Sequence, residues 1–318
     1  MRAVVYDRYG PPDVLRIEDV PVPSPAAGQV LVRVAATSVN LSDWEGLTGS
    51  PGYARMGGLR RPRRRILGSD IAGVVDAVGP GASRFREGDE VYGDNLALMG
   101  GFAEYAVAAE SALVAKPAEL SFVQASTIPQ AGAIAVTGTA RAAAGRMLVN
   151  GAGGGSGAFA IQLAKRAGAH VTAVDNASKL DFMRSVGADE VVDYRAEDFT
   201  RITPRFDLVL DLVAHRSVFA YRRALAPGGV YRCVGGSVRS LLRILTVGWL
   251  AGRLTGRSLG VLVVQQGPSS FTPLADLCVG GEVSIRVHRT YSLGQVAEAL
   301  ADVGEGRALG KVVVEIPV

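Results

Sequence analysis

The amino-acid sequence predicts an α/β protein in which a parallel-sheet domain is inserted into a β-rich domain built by both ends of the chain. Short apolar runs separated by glycine and proline fill the N-terminal part, which is typical of a compact barrel or sandwich. Strands then alternate with helices, which predicts a parallel sheet covered on both faces. A final apolar run is expected to rejoin the first domain. We therefore expect one domain from residues 1–118 and 266–318 and a second from residues 119–265.

The strands of the first domain are predicted from five runs: AVVY, QVLVRVAATSV, DIAGVVDAVG, DEVYG and FAEYAVA. The alanine-rich segment that follows, FVQASTIPQAGAIAVTGTARAAA, predicts helix with an interruption at Pro-Gln. Near the C terminus we expect a helix near Leu293–Val303 and then the strand GKVVVEI.

The second domain is predicted from alternating strands and helices of the length that parallel sheets use. Its predicted strands are Met147–Asn150, His170–Val174, Glu190–Asp193, Leu208–Leu212 and Val230–Val234. Its predicted helices are Gly157–Ala167, Lys179–Val186 and Ser217–Ala226.

Composition narrows the class of protein. The chain has 318 residues, of which 48% are hydrophobic and 20% charged, so it is expected to bury a large core and not to be disordered. The net charge of +4 comes without a basic or acidic tail, so nucleic acid is not expected as a partner.

Cysteine usage and hydropathy predict a soluble protein of a reducing cytoplasm. Cys233 and Cys278 lack the spacing of a disulfide framework or a zinc knuckle. The N terminus, MRAVVYDRYG, has no signal-peptide pattern. Arginines interrupt the most apolar stretch, Leu241–Val264, so we expect no membrane span.

A glycine-rich loop between the first predicted strand and helix of the second domain carries the pattern Ala152-x-Gly154-x-x-Gly157. This pattern is typical of dinucleotide-binding loops, in which small residues allow a tight turn, close approach of backbone to a pyrophosphate, and close packing of helix on strand. The helix N terminus then offers free N–H groups to phosphate. The alternative is a tight strand–helix turn without a ligand. The residues expected to hold the cofactor here are Ala152, Gly153, Gly154, Gly155, Ser156 and Gly157.

The residue at the end of the next strand gives a conflicting signal about the cofactor. Asp175 favours NADH, since an acidic residue there binds the ribose hydroxyls, although it could instead cap a helix. Lys179 and Tyr194 could together hold the 2′-phosphate of NADPH, although Lys179 could also be a solvated helix residue. We expect NADPH, with NADH possible. Val213 and Gly235, which directly follow predicted strands, complete the expected cofactor contacts.

The motifs together resemble the medium-chain dehydrogenase/reductase superfamily, and within it the zinc-independent quinone oxidoreductase (zeta-crystallin-like) and enoyl reductase branch. The resemblance extends over the whole chain and implies a Rossmann domain inserted in a GroES-like catalytic domain, a small-molecule substrate and a homodimer. The segments that carry it are NLSDW, LGSDIAGVVDAVG, FREGDEVYG, GGFAEYAV, LVNGAGGGSGAFAIQLAKRAGA, VGADEVVDYRAEDF and LGKVVVEI.

The zinc ligands of the zinc-dependent members have no counterpart here. This chain has Asn40 where they have cysteine, Ser69-Asp70 where they have a His–Glu pair, and no cysteine or carboxylate near Gln130–Gly132. A catalytic zinc needs three protein ligands. The three histidines are scattered and are expected on the surface or in loops, so no metal is predicted; they are His170, His215 and His288.

The resemblance nominates Asn40 and Asp43 as catalytic residues, with Ser42 and Trp44 beside them. Asn40 could hydrogen-bond the nicotinamide ribose or the substrate carbonyl, or could be a satisfied loop amide. The nearest counterpart of the proton-donating tyrosine of enoyl reductases is Tyr53, displaced by about two residues. In place of a usual hydroxyl residue the chain has Ile134, which implies a more apolar nicotinamide pocket.

Two basic stretches admit several interpretations. Arg60–Arg65 is expected to be a solvated loop, with attraction of an acidic substrate as the alternative. In the second stretch, one helical stripe is expected to wall the substrate site or seal a dimer, with an interfacial membrane helix as the alternative. That stripe comprises Arg239, Arg243, Thr246, Arg253 and Arg257.

Three functions follow from the sequence. The first is an NAD(P)H-dependent, zinc-independent oxidoreductase that transfers hydride to a quinone or an α,β-unsaturated carbonyl. The second is a biosynthetic ketone or imine reductase of a specialised metabolite. The third is a non-catalytic NADPH-binding sensor or scaffold. Loss of zinc favours the first, because a conjugated acceptor delocalises the charge that a metal would otherwise stabilise.

Overall fold

The computed structural model describes residues 1–56 and 58–317. The chain divides into two compact units. Unit 1 contains Met1–Ala133 and the C-terminal segment from Gln265, and unit 2 is Ile134–Val264. Both chain ends therefore build unit 1 and unit 2 is inserted between them, as the predicted fold class requires.

Strands account for most of unit 1 and for the centre of unit 2. In chain order the strands of the described residues are β1 (Arg2–Val5), β2 (Arg16–Asp19), β3 (Gln29–Val39), β4 (Asp70–Val78), β5 (Glu90–Asp94), β6 (Tyr105–Ala109), β7 (Leu113–Ala115), β8 (Arg146–Asn150), β9 (His170–Asp175), β10 (Glu190–Asp193), β11 (Phe206–Asp211), β12 (Leu225–Cys233), β13 (Ser258–Val261), β14 (Val287–Ser292) and β15 (Lys311–Glu315).

The helices are short, and several are extended by single 3-10 turns. The α-helices are α1 (Leu41–Thr48), α2 (Phe122–Ser126), α3 (Pro129–Thr139), α4 (Gly155–Arg166), α5 (Leu180–Ser185), α6 (Val218–Ala224), α7 (Val238–Arg243), α8 (Trp249–Arg253), α9 (Thr272–Val279) and α10 (Val296–Gly304). The 3-10 turns are Pro12–Val14, Gly52–Arg55, Glu110–Ala112, Ala177–Lys179, Phe199–Arg201, Pro268–Ser270 and Leu293–Gln295, and a π-helical segment, Ile244–Gly248, joins α7 to α8.

The main sheet of unit 1 has seven strands in the order β14-β15-β3-β4-β5-β7, with β6 also paired to β3. The C-terminal strand β15 runs antiparallel to β3, so that Val312 lies opposite Val39. The apolar run at the C terminus thus rejoins the first domain, as the sequence predicts. This pairing also brings Lys311 to the end of β3, where β3 leads into α1.

The sheet of unit 2 has six parallel strands in the order β10-β9-β8-β11-β12-β13. All five predicted strands are present within a few residues of their predicted bounds, and β13 was not predicted. Strand order reverses at β8, and ligands of such sheets bind beyond the carboxyl ends of the strands at this point. The loop that follows β8 is the glycine-rich loop.

The first boundary between the units falls after Ala133 and not after residue 118. Helix α2 packs on β3 and β4 of unit 1, and Gly132 lies close against Leu274 of α9. The alanine-rich segment is helical as predicted, but its first half therefore belongs to the β-rich unit. Hydropathy alone does not distinguish a helix that packs on one sheet from a helix that packs on another.

The basic stretch near the end of unit 2 forms one continuous helix through α7, the π-helical segment and α8. The helix ends at Arg253, so Arg257 lies outside the predicted stripe and its Nε donates to the carbonyl oxygen of Leu225 (3.0 Å). Among the described residues, no helix combines the length and the hydropathy that crossing a bilayer requires.

Candidate functional site

The glycine-rich loop makes the tight turn that its sequence predicts. Strand β8 ends at Asn150, Gly151 has a φ of +81°, and α4 begins at Gly155 with Gly154 as its N-cap. A Cβ on Gly157 would lie 2.5 Å from the Cα and the carbonyl oxygen of Ala152. Glycine at position 157 therefore allows α4 to pack directly on the loop, which is a structural requirement of the turn.

Gly154 meets a different requirement. A Cβ there would find no atom nearer than the carbonyl oxygen of Gly151 at 3.8 Å, and its backbone (φ −89°, ψ −177°) is accessible to any residue. The fold therefore does not need glycine at this position. The N–H groups in the first turn of α4 have no intrahelical acceptor and favour an anion. A bare backbone beside such donors fits the pyrophosphate of a dinucleotide.

Asp175 and Lys179 fix the other side of this loop. The carboxylate of Asp175 accepts from the N–H groups of Gly153 (3.0 Å) and Asn176 (2.8 Å). Lys179 is 4% exposed, its Nζ lies 3.6 Å from Asp175 Oδ2, and a Cβ on Gly153 would collide with its side chain. Asn176, and not Asp175, caps the following 3-10 turn. The lysine balances the negative charge that would otherwise repel a 2′-phosphate.

The remaining residues predicted to contact the cofactor lie beyond the carboxyl ends of the strands. Tyr194 is 38% exposed, and its N–H donates to the carbonyl oxygen of Asp175 (3.1 Å). Arg195, which was not predicted, lies 5.6 Å from the Tyr194 ring and adds a cation at this edge. Val213 follows β11, and Gly235 follows β12 with a φ of +72°.

A buried carboxylate that the sequence did not single out joins these loops. Asp211, at the end of β11, accepts from Asn150 Nδ2 (2.8 Å), from Tyr231 Oη (2.8 Å) and from the N–H of Val213 (3.0 Å). It therefore connects the end of β8 to the turn after β11. Only its place at a strand end, after four apolar or strand-forming residues, could have identified it.

In unit 1 the positions at which zinc-dependent relatives carry ligands come together in one buried polar cluster. Asn40 Nδ2 donates to Ser69 Oγ (3.1 Å) and to Asp70 Oδ2 (2.8 Å). The N–H of Gln130 donates to Asp70 Oδ1 (3.1 Å). Among the described residues, no group of three or more His, Cys, Asp or Glu side chains is arranged to hold a metal ion. The cluster is therefore held by amide, hydroxyl and carboxylate hydrogen bonds.

Lys311 supplies the positive charge of this polar cluster. Its Nζ donates to Asn40 Oδ1 (2.7 Å) and lies 3.7 Å from Asp70 Oδ2. Burial lowers the pKa of Lys311 and raises the pKa of Asp70, and their opposite charges counteract both shifts. Both oxygens of Asp70 accept hydrogen bonds, including one from Ser38 Oγ (2.9 Å), so the surroundings suit an ionised carboxylate. A lone lysine in the apolar strand GKVVVEI was the only signal for this residue.

Two further carboxyl groups lie close to the polar cluster. Asp43 is fully buried and accepts from the N–H groups of Asn40 (2.8 Å) and Gly68 (3.1 Å), so it fixes the start of α1. Burial raises its pKa to about 7. Burial, together with the charge of Asp70, also raises the pKa of Asp94 to about 7. The position of Asp43 beneath α1 suits a residue that positions Asn40.

The structure changes which amide is available to a substrate. Both donors of Asn40 are used within the cluster and its oxygen accepts from Lys311, which favours the alternative that Asn40 is a satisfied amide. Gln130, at the start of α3, is different. Its Oε1 accepts from Ser42 Oγ (2.9 Å), and its Nε2 has no acceptor among the described residues. Gln130 therefore presents the free amide donor of this site.

The structure also places three other residues that the sequence singled out. Tyr53 donates to Glu45 Oε1 (2.9 Å), and burial together with the Glu45 charge raises the pKa of Tyr53. Trp44 packs against Gly304 of α10, where any Cβ would collide with its ring, so it is not a free pocket residue. Ile134 is half-buried within α3.

The structure also places the three histidines and the first basic stretch. His170 lies 3.8 Å from Glu190 and His288 lies 4.0 Å from Asp302, while His215 is exposed. In the stretch Arg60–Arg65, Arg65 pairs with Asp7 and Glu18, and the other arginines are exposed.

Two family models match the chain. Residues 26–118 match the alcohol dehydrogenase GroES-like domain, and residues 186–314 match the zinc-binding dehydrogenase domain. The first match lies within unit 1. The second match begins in unit 2, continues through the C-terminal segment of unit 1 and ends within β15.

Individual proteins match over most or all of the chain. The chloroplastic quinone-oxidoreductase QR1 of Triphysaria versicolor is 31% identical, over 99% of this chain and 98% of that protein. The chloroplastic NADPH-dependent alkenal/one oxidoreductase of Arabidopsis thaliana is 36% identical over 67% of this chain and 57% of that protein. The structure of the quinone oxidoreductase from Coxiella burnetii superposes with a TM-score of 0.89 at 28% identity, covering 100% of this chain and 99% of that one.

Proposed function

The chain belongs to the medium-chain dehydrogenase/reductase superfamily, as the sequence motifs predicted, and from this premise we propose that it reduces quinones or α,β-unsaturated carbonyls with NADPH and without a metal. The chain is an NAD(P)H-dependent oxidoreductase. The observation that carries the finer proposal is the polar cluster of unit 1, where Lys311, Asn40 and Asp70 are bonded to one another.

The glycine-rich loop and its neighbours are proposed to hold the cofactor. The bound nicotinamide supplies the hydride. The backbone at Gly154 and the first turn of α4 would bind the pyrophosphate, because the space there is open and the N–H groups lack acceptors. Lys179, Tyr194 and Arg195 would favour the 2′-phosphate, since they place two cations and a hydroxyl group at the edge that also holds Asp175 and Asp193.

The chemistry of the polar cluster supports a metal-free reaction. The Lys311 ammonium group lies 2.7 Å from the Asn40 oxygen, and the Asp70 carboxylate accepts from Asn40, Ser38 and Gln130. Such a site does not offer lone pairs to a divalent cation. Without a Lewis acid, reduction is easiest where the added electron pair delocalises into an enolate or a hydroquinone anion.

Gln130 is the residue we expect to polarise the acceptor carbonyl. Ser42 holds its oxygen, Asp70 holds its backbone N–H, and its Nε2 group is free. A positioned neutral donor of this kind stabilises developing negative charge on oxygen. Asn40, Asp43 and Lys311 would act by fixing the elements that carry Gln130 and Ser42.

The proposed acceptor class is tested by following nicotinamide absorbance during turnover with a panel of quinones, enones and simple ketones. We expect turnover with the conjugated acceptors and little with the ketones. Turnover with ketones or imines alone would favour the biosynthetic reductase that the sequence left open. Cofactor binding without turnover of any acceptor would favour a sensor or scaffold.

The role of Gln130 is tested with Gln130→Met, which keeps the length of the side chain and removes the donor. We expect kcat to fall at least about tenfold, since loss of one donor to a developing oxyanion commonly costs more than this. The dissociation constant of NADPH should not change. The control is Gln162→Met in α4 of unit 2. An unchanged kcat in Gln130→Met would assign carbonyl polarisation to another group.

The cytoplasmic location and the homodimer stay predictions. Both cysteines are unpaired, Cys233 in the core of unit 2 and Cys278 half-buried in α9. Free thiols are consistent with a reducing compartment. Light scattering of the purified chain would test the dimer.

A further inference from the structure

One segment of unit 2 has an unusual charge. Between Asp211 and Asp276 the chain has no aspartate or glutamate, and it has eight arginines. The rest of the chain has more acidic than basic residues. The positive charge of the protein is therefore concentrated in this one stretch of sequence, which includes α6, β12, β13 and the continuous helix of residues 238–253, called here the 238–253 helix.

The 238–253 helix buries only a narrow stripe. Ile244, Gly248 and Gly252 are buried, and Leu241 is partly buried against the core of unit 2. The two glycines allow close contact, because a Cβ on Gly252 would lie 2.8 Å from the carbonyl oxygen of Arg257. The rest of the helix circumference faces away from unit 2.

The outward faces of this helix are both apolar and basic. Arg239, Arg243 and Arg253 are exposed, and none of them pairs with a carboxylate among the residues the structure describes. The Arg253 guanidinium lies 5.5 Å from the Trp249 ring. The large apolar side chains on these faces, together with the residue that directly follows the helix, are between 52% and 77% exposed; they are Leu242, Leu245, Trp249, Leu250 and Leu254.

Neighbouring α6 extends the same surface. Val218 of α6 lies 3.5 Å from where a Cβ on Gly248 would be, so the two helices are in contact. Phe219 on α6 is 59% exposed, with Arg222 5.8 Å from its ring. Aromatic and aliphatic side chains bordered by unpaired arginines thus continue from one helix to the next. A patch of exposed apolar side chains that extends over two neighbouring helices is rarely left uncovered on a soluble monomer.

The geometry points to an anionic lipid surface as the occupant of this patch: we propose that the 238–253 helix lies in the plane of such a surface, with its leucines and Trp249 inserted and its arginines on the phosphates. Tryptophan and arginine are the side chains that favour the boundary between apolar and charged layers. A second copy of the chain fits less well, because a two-fold interface would place the same unpaired arginines against themselves. This inference goes beyond the proposed reductase function and does not depend on it.

The test is co-sedimentation of the full chain with vesicles of phosphatidylcholine mixed with phosphatidylglycerol, compared with phosphatidylcholine alone. We expect binding to the anionic vesicles, little binding to the neutral ones, and weakening by salt. Leu250→Ser should weaken binding at least about tenfold, whereas Ile17→Ser, an equally exposed residue of unit 1, should not. The double variant Arg239→Gln with Arg243→Gln should weaken vesicle binding more than the control double variant Arg8→Gln with Arg141→Gln. The control removes the same amount of charge from other parts of the chain.

Each contrary outcome overturns the proposal in a recognisable way. If the test and control variants weaken vesicle binding equally, the binding comes from general attraction between the basic protein and the anionic lipid and not from the 238–253 helix. Failure to bind vesicles, with a dimer by light scattering that Leu250→Ser dissociates, would assign the surface to a second copy. A monomer that does not bind either vesicle would leave an acidic protein as the fitting occupant. Reductase turnover with a water-soluble quinone, measured in the same variants, reports separately on the catalytic proposal.

Discussion

Both units bury a lysine beside an aspartate, at nearly the same distance and with different consequences. In unit 1, Lys311 lies 3.7 Å from Asp70 and also bonds to the oxygen of Asn40. In unit 2, Lys179 lies 3.6 Å from Asp175, which takes its hydrogen bonds from backbone N–H groups at the edge of the glycine-rich loop. The first pair is enclosed by protein, and the second lies next to the loop where a cofactor is expected.

This difference shows what each charge is available for. Asp70 accepts from Ser38, Asn40 and Gln130, so Lys311 completes a closed set of partners and holds the amides in place. Lys179 has one protein partner and can also donate to a phosphate. A buried lysine thus completes a hydrogen-bonded cluster in one unit, and in the other it lies beside the loop proposed to bind the cofactor.

The largest expected effect is the loss of folding stability when the lysine of each lysine–aspartate pair is replaced. Lys311→Met leaves Asp70 buried without its cation and should lower the free energy of unfolding by about 3–5 kcal/mol. Lys179→Met should lower the free energy of unfolding clearly less than Lys311→Met does, because Asp175 keeps its two backbone donors. Urea denaturation of both variants measures the difference. Adding Asp70→Asn to Lys311→Met should restore part of the loss, and equal losses in the two single variants would remove the distinction.

The next effect separates two glycines of one loop. Gly157→Val should lower the free energy of unfolding by about 1–3 kcal/mol or more, because its side chain overlaps Ala152. Gly154→Val has open space and loses only a favourable N-cap residue, so it should lower the free energy of unfolding by no more than about 1 kcal/mol. The valine side chain should nevertheless lower the affinity for NADPH at least about tenfold, or about 1.4 kcal/mol, because it would block the position of the pyrophosphate. Fluorescence titration and denaturation together check this, and unchanged NADPH affinity in Gly154→Val would contradict the placement of the cofactor.

A smaller effect concerns the choice of cofactor. Lys179→Ala should weaken the binding of NADPH by about 1–2 kcal/mol and the binding of NADH by much less, since only NADPH carries the 2′-phosphate. The control is Lys165→Ala, which removes a half-buried lysine that pairs with Asp189 in the same unit. Dissociation constants for both cofactors measure the contrast, and equal loss for NADPH and NADH would refute this role.

A pH dependence of stability is also expected in the polar cluster, and its sign distinguishes burial from hydrogen bonding. The pKa of Asp43 is raised to about 7, so the folded state keeps a proton that the unfolded state has already released above about pH 4. The stability of the wild type should therefore fall, relative to Asp43→Asn, as pH rises from about 4 to about 7, and stay level above that. Denaturation across this range tests the sign. A constant difference would mean that the two backbone N–H groups outweigh burial.

The fold could be predicted because its signals are local. Each strand and helix of unit 2 has its own hydropathy period, and the glycine-rich loop is a contiguous motif whose three small positions answer contacts within a few residues. The boundary after Ala133 and the unpredicted strand β13 depend on which sheet a segment packs against. Local pattern does not carry that information.

The polar cluster could be predicted only in part, for a related reason. The resemblance indicated Asn40 and Asp43, but Lys311 is 271 positions from Asn40 along the chain and no spacing connects them. Whether an amide is free or satisfied depends on all its neighbours at once. That is why Asn40 was expected to donate to substrate, while the structure leaves the free donor on Gln130.

We propose that Lys311 and its partners take the place of a catalytic metal. This proposal is tested most directly by purifying the enzyme in the presence of a chelator and measuring bound zinc and NADPH-dependent quinone reduction in the same sample. We expect full turnover at negligible zinc content and no increase when zinc is added. Turnover that is absent from the metal-free sample and restored by stoichiometric zinc would contradict it.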